Sequence, residues 1–132
     1  QHQRLLSAMA NQQRRPGLVL SGDLHATGHA QITGSGALSF SSNPIHSIIT
    51  GPLGTGSGWP SRARGTPPMV AQDLTLDSPA PVSERNGFTL LDITPGNVRM
   101  RLFAWRRENS STNQIDSLEP YHDVNIRKAG MS

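Results

Sequence analysis

At 132 residues the chain is long enough for one domain, or for one part of a larger one, and too short for two. An apolar fraction of 34% promises a modest core, while a net charge of +3, from 12 basic and 9 acidic residues, removes the self-repulsion that drives disorder. Thirteen Gly and ten Pro exclude a helical bundle, and zero Cys excludes disulfides, thiolate nucleophiles and iron–sulfur clusters, leaving His, Asp, Glu and Asn as metal donors.

The basic excess is N-terminal. Residues 1–66 carry five Arg and a single acid, Asp23, whereas residues 67–132 carry seven basic and eight acidic residues. The five arginines are not interleaved with aromatics, which disfavours nucleic acid and fits a site for anionic phosphate. No apolar run approaches the about 18 residues of a membrane span. The opening QHQRLLSAMANQQRR has no apolar core bounded by a cleavage site, and a Gln in first place is compatible with a start inside a longer gene product.

In chain order, residues 2–13 place Leu5, Leu6, Met9 and Ala10 near helical spacing before the Pro16-Gly17 stop, which predicts a short amphipathic helix. Residues 17–21, GLVLS, form an apolar run without alternation, the pattern of a strand covered on both faces. Residues 29–33, 37–41 and 46–50 read as short β pieces separated by Gly, Ser, Asn and Pro. Residues 51–68, GPLGTGSGWPSRARGTPP, read as a long loop. Residues 88–105 predict a hairpin joined at Thr94-Pro95-Gly96-Asn97, where Pro before Gly suits a type II turn. There Val98, Met100, Leu102 and Ala104 alternate with Arg99, Arg101, Phe103 and Trp105, giving one buried face. Residues 108–117 are polar and turn-like, and residues 121–126 predict an edge strand.

The segment richest in chemistry is Leu18-Val19-Leu20-Ser21-Gly22-Asp23-Leu24-His25, a strand that ends in a glycine turn presenting a carboxylate and an imidazole two residues apart. In an extended segment such side chains point the same way and can share a metal. The other reading has Asp23 capping the turn through its own backbone, with His25 an ordinary loop histidine. His25 and His29 have the helical spacing of two zinc ligands, but Thr27 and Gly28 between them oppose a helix. His46 reads as a satisfied strand-end residue, and His2 and His122 carry no signal. Gly51 to Gly58 lacks the Gly-Lys-Ser/Thr ending of a nucleotide loop. Arg62 and Arg64 on the same loop are candidates for phosphate contact. The serines at Gly34-Ser35-Gly36 and Gly56-Ser57-Gly58 do not have the spacing of a nucleophile elbow.

Taken in order, the N-terminal helix, GLVLSGDLHA, the Gly/Pro-rich loop and NGFTLLDITPGNVRMRLFAW resemble the C-terminal part of calcineurin-like metallophosphoesterases, of the alkaline phosphatase D type. In that family a late strand ends in Gly-Asp-x-His, here Gly22-Asp23-Leu24-His25. The resemblance implies an α/β fold, a fragment of α+β character from a two-sheet β-sandwich with flanking helices. It assigns residues 1–107 to the metallophosphoesterase domain and residues 108–132 to a polar C-terminal extension. It further implies hydrolysis of phosphomonoesters or phosphodiesters at a dinuclear metal site of Fe, Mn, Zn or Ca. His25 would be a ligand, Asp23 a second ligand or its orienting partner, and Arg62, Arg64 and His29 substrate contacts. Apart from Asp23-Leu24-His25, which belongs to the late Gly-Asp-x-His, the family's earlier motifs, Asp-x-His, Gly-Asp-x-x-Asp and Gly-Asn-His-Glu/Asp, do not occur here. The remaining donors are therefore expected from an upstream remainder of the same polypeptide, with little turnover by this chain alone. Export to the periplasm or outside the cell follows only by family analogy. The competing reading is a non-catalytic β-rich binding or interaction module.

Overall fold

The computed structural model describes residues 1–12, 15–22, 25–53, 72–83, 86–105 and 111–127. Helix α1 spans His2–Ala10, followed by strands β1 (Gly17–Ser21), β2 (Thr27–Ser35), β3 (Leu38–Ser39), β4 (Ile45–Thr50), β5 (Leu74–Ser83), β6 (Gly87–Ile93), β7 (Asn97–Ala104) and β8 (His122–Arg127). A 3₁₀ helix, Thr112–Ser117, precedes β8, with the Ser111 hydroxyl accepting from the Asn113 amide.

The strands form two sheets. In the first, β4 lies between β1 and β2, parallel to β1 and antiparallel to β2, with β5 along the far side of β2 and β3 paired to its end. The second is the antiparallel meander β6-β7-β8. Among the described residues the fold is thus mostly β, with one α-helix, a short 3₁₀ helix and a single parallel pair.

Alternation along the strands divides the apolar residues between two clusters. On one face of the first sheet, Ile32 and Ile45 bury Leu6 of α1 together with Phe40, and Met9, Ala10 and Val19 pack around them. On the other face Ile48 meets Val98, Met100, Leu102 and Ile126 of the second sheet. Ile48, Met100 and Leu102 are fully buried, and each such side chain contributes about 1.5–3 kcal/mol. The result is three layers: helix, sheet, sheet. The C-terminal end of α1 is closed by Asn43, whose side-chain amide donates to the carbonyls of Ala10 (2.8 Å) and Gln12 (3.2 Å). These are carbonyls that a helix end otherwise leaves without partners.

Three expectations need correction. The helix stops at Ala10, where Asn43 takes over its terminal carbonyls. Strand β1 has the predicted bounds but is the last strand on its side of the sheet, so Leu20 stays 53% exposed instead of being covered on both faces. The turn at Thr94–Asn97 is not type II, which needs a positive φ at Gly96; among the described glycines that conformation belongs to Gly36 and Gly51. The Thr94 hydroxyl instead accepts from the Asn97 amide at 3.1 Å. The buried face of the hairpin is as expected at Val98, Met100 and Leu102, but Phe103 and Trp105 on the other face are buried as well.

Candidate functional site

The Gly-Asp-x-His segment connects β1 to β2. Because β1 is parallel to β4 and β2 antiparallel to it, Ser21 and Thr27 both stand at the end of β4, opposite Ile49 and Thr50. The residues that flank the segment, Ser21 on β1 and Thr27 on β2, therefore lie on either side of the carboxyl end of β4. Hydroxyl groups fasten this corner: Thr50 donates to the Ser21 carbonyl (3.1 Å), and Ser21 donates to the Ile48 carbonyl (3.2 Å). Strand β4 leaves through Gly51, at φ 78°, a conformation that side chains other than glycine's rarely adopt. A Cβ on Gly51 would collide with the Thr27 methyl, so the corner is closed by the absence of a side chain. The Gly87 amide donates to the Pro52 carbonyl at 3.1 Å, bringing the start of the second sheet to the same edge.

His25 lies at this edge, half-buried in the bend before β2, and is partnered. It stands at the carboxyl end of a parallel strand pair, where α/β proteins gather their ligands. Asp23 lies outside the described residues, as do Arg62 and Arg64 and the loop beyond Leu53. Among the described residues, no three or more His, Asp or Glu side chains gather in a way that could hold a metal ion. The described part of the edge thus offers His25 as a single donor. Among the described residues no helix is long and apolar enough to cross a membrane.

His29 belongs to a different place. It sits inside β2, so the helical spacing of four from His25 does not apply. Its side chain is 2% exposed and points between the two sheets, where both ring nitrogens meet other imidazoles. Nδ1 is 3.1 Å from Nε2 of His122 on β8, and Nε2 is 2.9 Å from Nδ1 of His46 on β4. The rings of His29 and His46 are stacked, 12° apart with centroids at 5.1 Å. Two residues along β2, on the same face, the buried Thr27 hydroxyl accepts from the Tyr121 hydroxyl at 2.8 Å. Burial holds His29 down to about 4, helped by the repulsion of His46 and His122. Burial also lowers His46, and lowers His122 against the opposing pull of Asp123. The three imidazoles are therefore neutral near pH 7.

One mononuclear metal cannot take all three rings, because His29 turns a different nitrogen to each neighbour. His122, which carries no signal in the sequence, closes this row, and His46 is satisfied as expected, by an imidazole. The available signal is alternation: His122 shares its face with Val124 and Ile126, and His46 with Ile48. Comparison of the chain with protein-family models, with curated proteins and with solved structures returned no match.

Proposed function

We propose that this chain supplies one corner of a metal-dependent phosphoesterase, with His25 a metal ligand and Asp23 a second ligand or its orienting partner. Support comes from one observation: Ser21, which precedes the Gly22-Asp23-Leu24-His25 segment, and Thr27, which follows it, both stand at the carboxyl end of β4, beside the tight exit at Gly51. The metals, drawn from Fe, Mn, Zn or Ca, would polarise phosphate oxygens and generate a hydroxide nucleophile. Arg62 and Arg64 are the proposed phosphate contacts, and the remaining metal donors come from other parts of the polypeptide.

The test is hydrolysis of p-nitrophenyl phosphate and bis-p-nitrophenyl phosphate by the full polypeptide, with each metal added in turn, before and after His25→Ala. Metal-dependent turnover that falls at least about a hundredfold on substitution, with melting little changed, is the expected result. Metal-dependent turnover that survives His25→Ala would remove His25 from the site. The lack of a gathered donor set among the described residues favours a second reading, a β-rich binding module. That reading predicts no metal-dependent turnover in the same assay.

A further inference from the structure

We propose that the row His122–His29–His46 is an acid-operated latch between the two sheets: it takes up one proton with its geometry intact, and a second proton parts β8 from β2. The inference is independent of any activity at His25.

Proton counting gives the two stages. Three neutral imidazoles carry three N–H groups; two fill the bonds at 3.1 and 2.9 Å, and the third points outward from one end of the row. One added proton fills the outward nitrogen at the other end. Every ring nitrogen then either donates or accepts, and the charge is shared along the row. A second added proton has no such place. It sets two N–H groups face to face across one of the two contacts and places two cations side by side.

The weaker contact is the one to His122. Strands β2 and β4 are held by a backbone ladder from Thr27↔Thr50 to Ile32↔Ile45, so His29 and His46 cannot separate without breaking it. Among the described residues no ladder joins β8 to β2. The links between them at this end include His122 to His29 and the Tyr121 hydroxyl to Thr27, both between side chains. At this end β8 is held to β7 by the Leu102↔His122 pair and the Tyr121 amide on the Leu102 carbonyl, so the start of β8 leaves β2 by fraying from β7 as well.

Among the described groups none pairs directly with the second charge. In register with the row stand Ile48 and Ala80 beside His29, Leu102 beside His122, and Leu18 and Gln31 beside His46, none of them charged. Asp123, next to His122 in the chain, favours charge there, but its carboxylate is held on the outer face of β8 by Arg99 at 2.7 Å and offsets the second charge only in part. Asp77 stands opposite Gln31 on β5 and is exposed.

The lowered proton affinity of all three imidazoles fixes the direction. Between the ordinary value of 6.5 and about 4, the unfolded chain binds more protons than the folded one. The latch is complete above 6.5 and lost as pH falls toward 4.

The test is amide hydrogen exchange, corrected for intrinsic rates, on the full polypeptide at about pH 7 and about pH 4.5, a range in which the imidazoles titrate and, at its acid end, the carboxyls begin to, so His122→Gln serves as the control. Protection of the Tyr121 to Val124 amides should fall at least about tenfold more than that of Gly28 to Ile32, one decade corresponding to about 1.4 kcal/mol. In His122→Gln, which keeps a donor and an acceptor but does not titrate, this difference should vanish. Uniform loss of protection across both sheets, or an unchanged pH profile in His122→Gln, would overturn the latch. Should that variant not fold, imidazole ¹⁵N shifts of the unsubstituted protein decide. Two coupled protonation steps, the second coinciding with loss of β8 protection, support the latch. Independent titration of His29 and His122 near 6.5 would refute it.

Discussion

His25 and His29 are four residues apart in the chain and belong to different kinds of place. His25 sits half-buried in the bend just before β2, near the carboxyl end of β4, and is partnered. His29 is 2% exposed between the sheets, with an imidazole on each ring nitrogen from strands 17 and 93 residues away. The edge is where the ends of β1, β2 and β4 meet. The interior row is assembled by tertiary packing and has both central nitrogens committed. A histidine's chemistry here follows from which strand neighbours it meets, not from the number of residues to the next histidine.

The largest effects should separate along that line. His25→Ala should abolish most metal-dependent turnover while shifting unfolding by less than about 1 kcal/mol, because it belongs to neither apolar cluster. His29→Ala should do the reverse to stability. It leaves ring nitrogens of His46 and His122 without partners, at about 1–3 kcal/mol each, so urea unfolding should show a loss of about 2–6 kcal/mol. If His25→Ala proved the more destabilising of the two, the contrast between edge and interior would be broken.

How much of this was legible in the sequence follows the same division. Strand β1 has the residues expected of it, and the β6–β7 hairpin is within a residue or two, because apolar runs bounded by Gly and Pro are local signals. The Gly-Asp-x-His segment is visible as a motif, and the meeting of its flanking residues Ser21 and Thr27 at the end of β4 is not, since that depends on β1 pairing with β4, far along the chain. The row of imidazoles could not be read at all from spacing: His29, His46 and His122 meet only because two sheets pack face to face. Alternation did carry part of it. In His122-Asp123-Val124-Asn125-Ile126-Arg127, the imidazole falls on the side of Val124 and Ile126, and exposure alternates accordingly. Leu20 misled in the opposite sense, because an apolar run does not tell a central strand from an edge strand.

A smaller effect should sharpen the picture of how the sheets are joined. Tyr121→Phe keeps the ring and removes the hydroxyl that serves Thr27, a residue with no exposed surface. A buried hydroxyl left without its partner costs about 1–3 kcal/mol, and Tyr121 as a residue is 43% exposed, which points to the lower end. Thermal unfolding should register the loss, and the exchange of amides at the start of β8 should register it more strongly than that of β4. Equal changes in both strands would mean that the hydroxyl pair stabilises the whole domain and not this joint.

The smallest effect belongs to the outer face of the second sheet, where Arg99 on β7 grips Asp123 on β8 through two hydrogen bonds of 3.0 and 2.7 Å. The side chains are 48% and 35% exposed, so water screens the pair and little stability is expected from it. Its bond to Arg99 holds the Asp123 carboxyl below the usual carboxylate range, so whatever the pair adds is present at neutral pH and lost as Asp123 is protonated in acid. Arg99→Gln should leave the unfolding midpoint at pH 7 within measurement error. It should still be felt by the interior row. Asp123 favours charge on its neighbour His122, and without Arg99 its negative charge is less offset, so protonation of His122 should begin at a higher pH. The acid loss of β8 protection would move to higher pH with it, by an amount readable in the same exchange experiment. A midpoint shift as large as that of Tyr121→Phe, with the acid response unmoved, would instead place the joint between the sheets under the control of the outer ladder and take that role from the imidazoles.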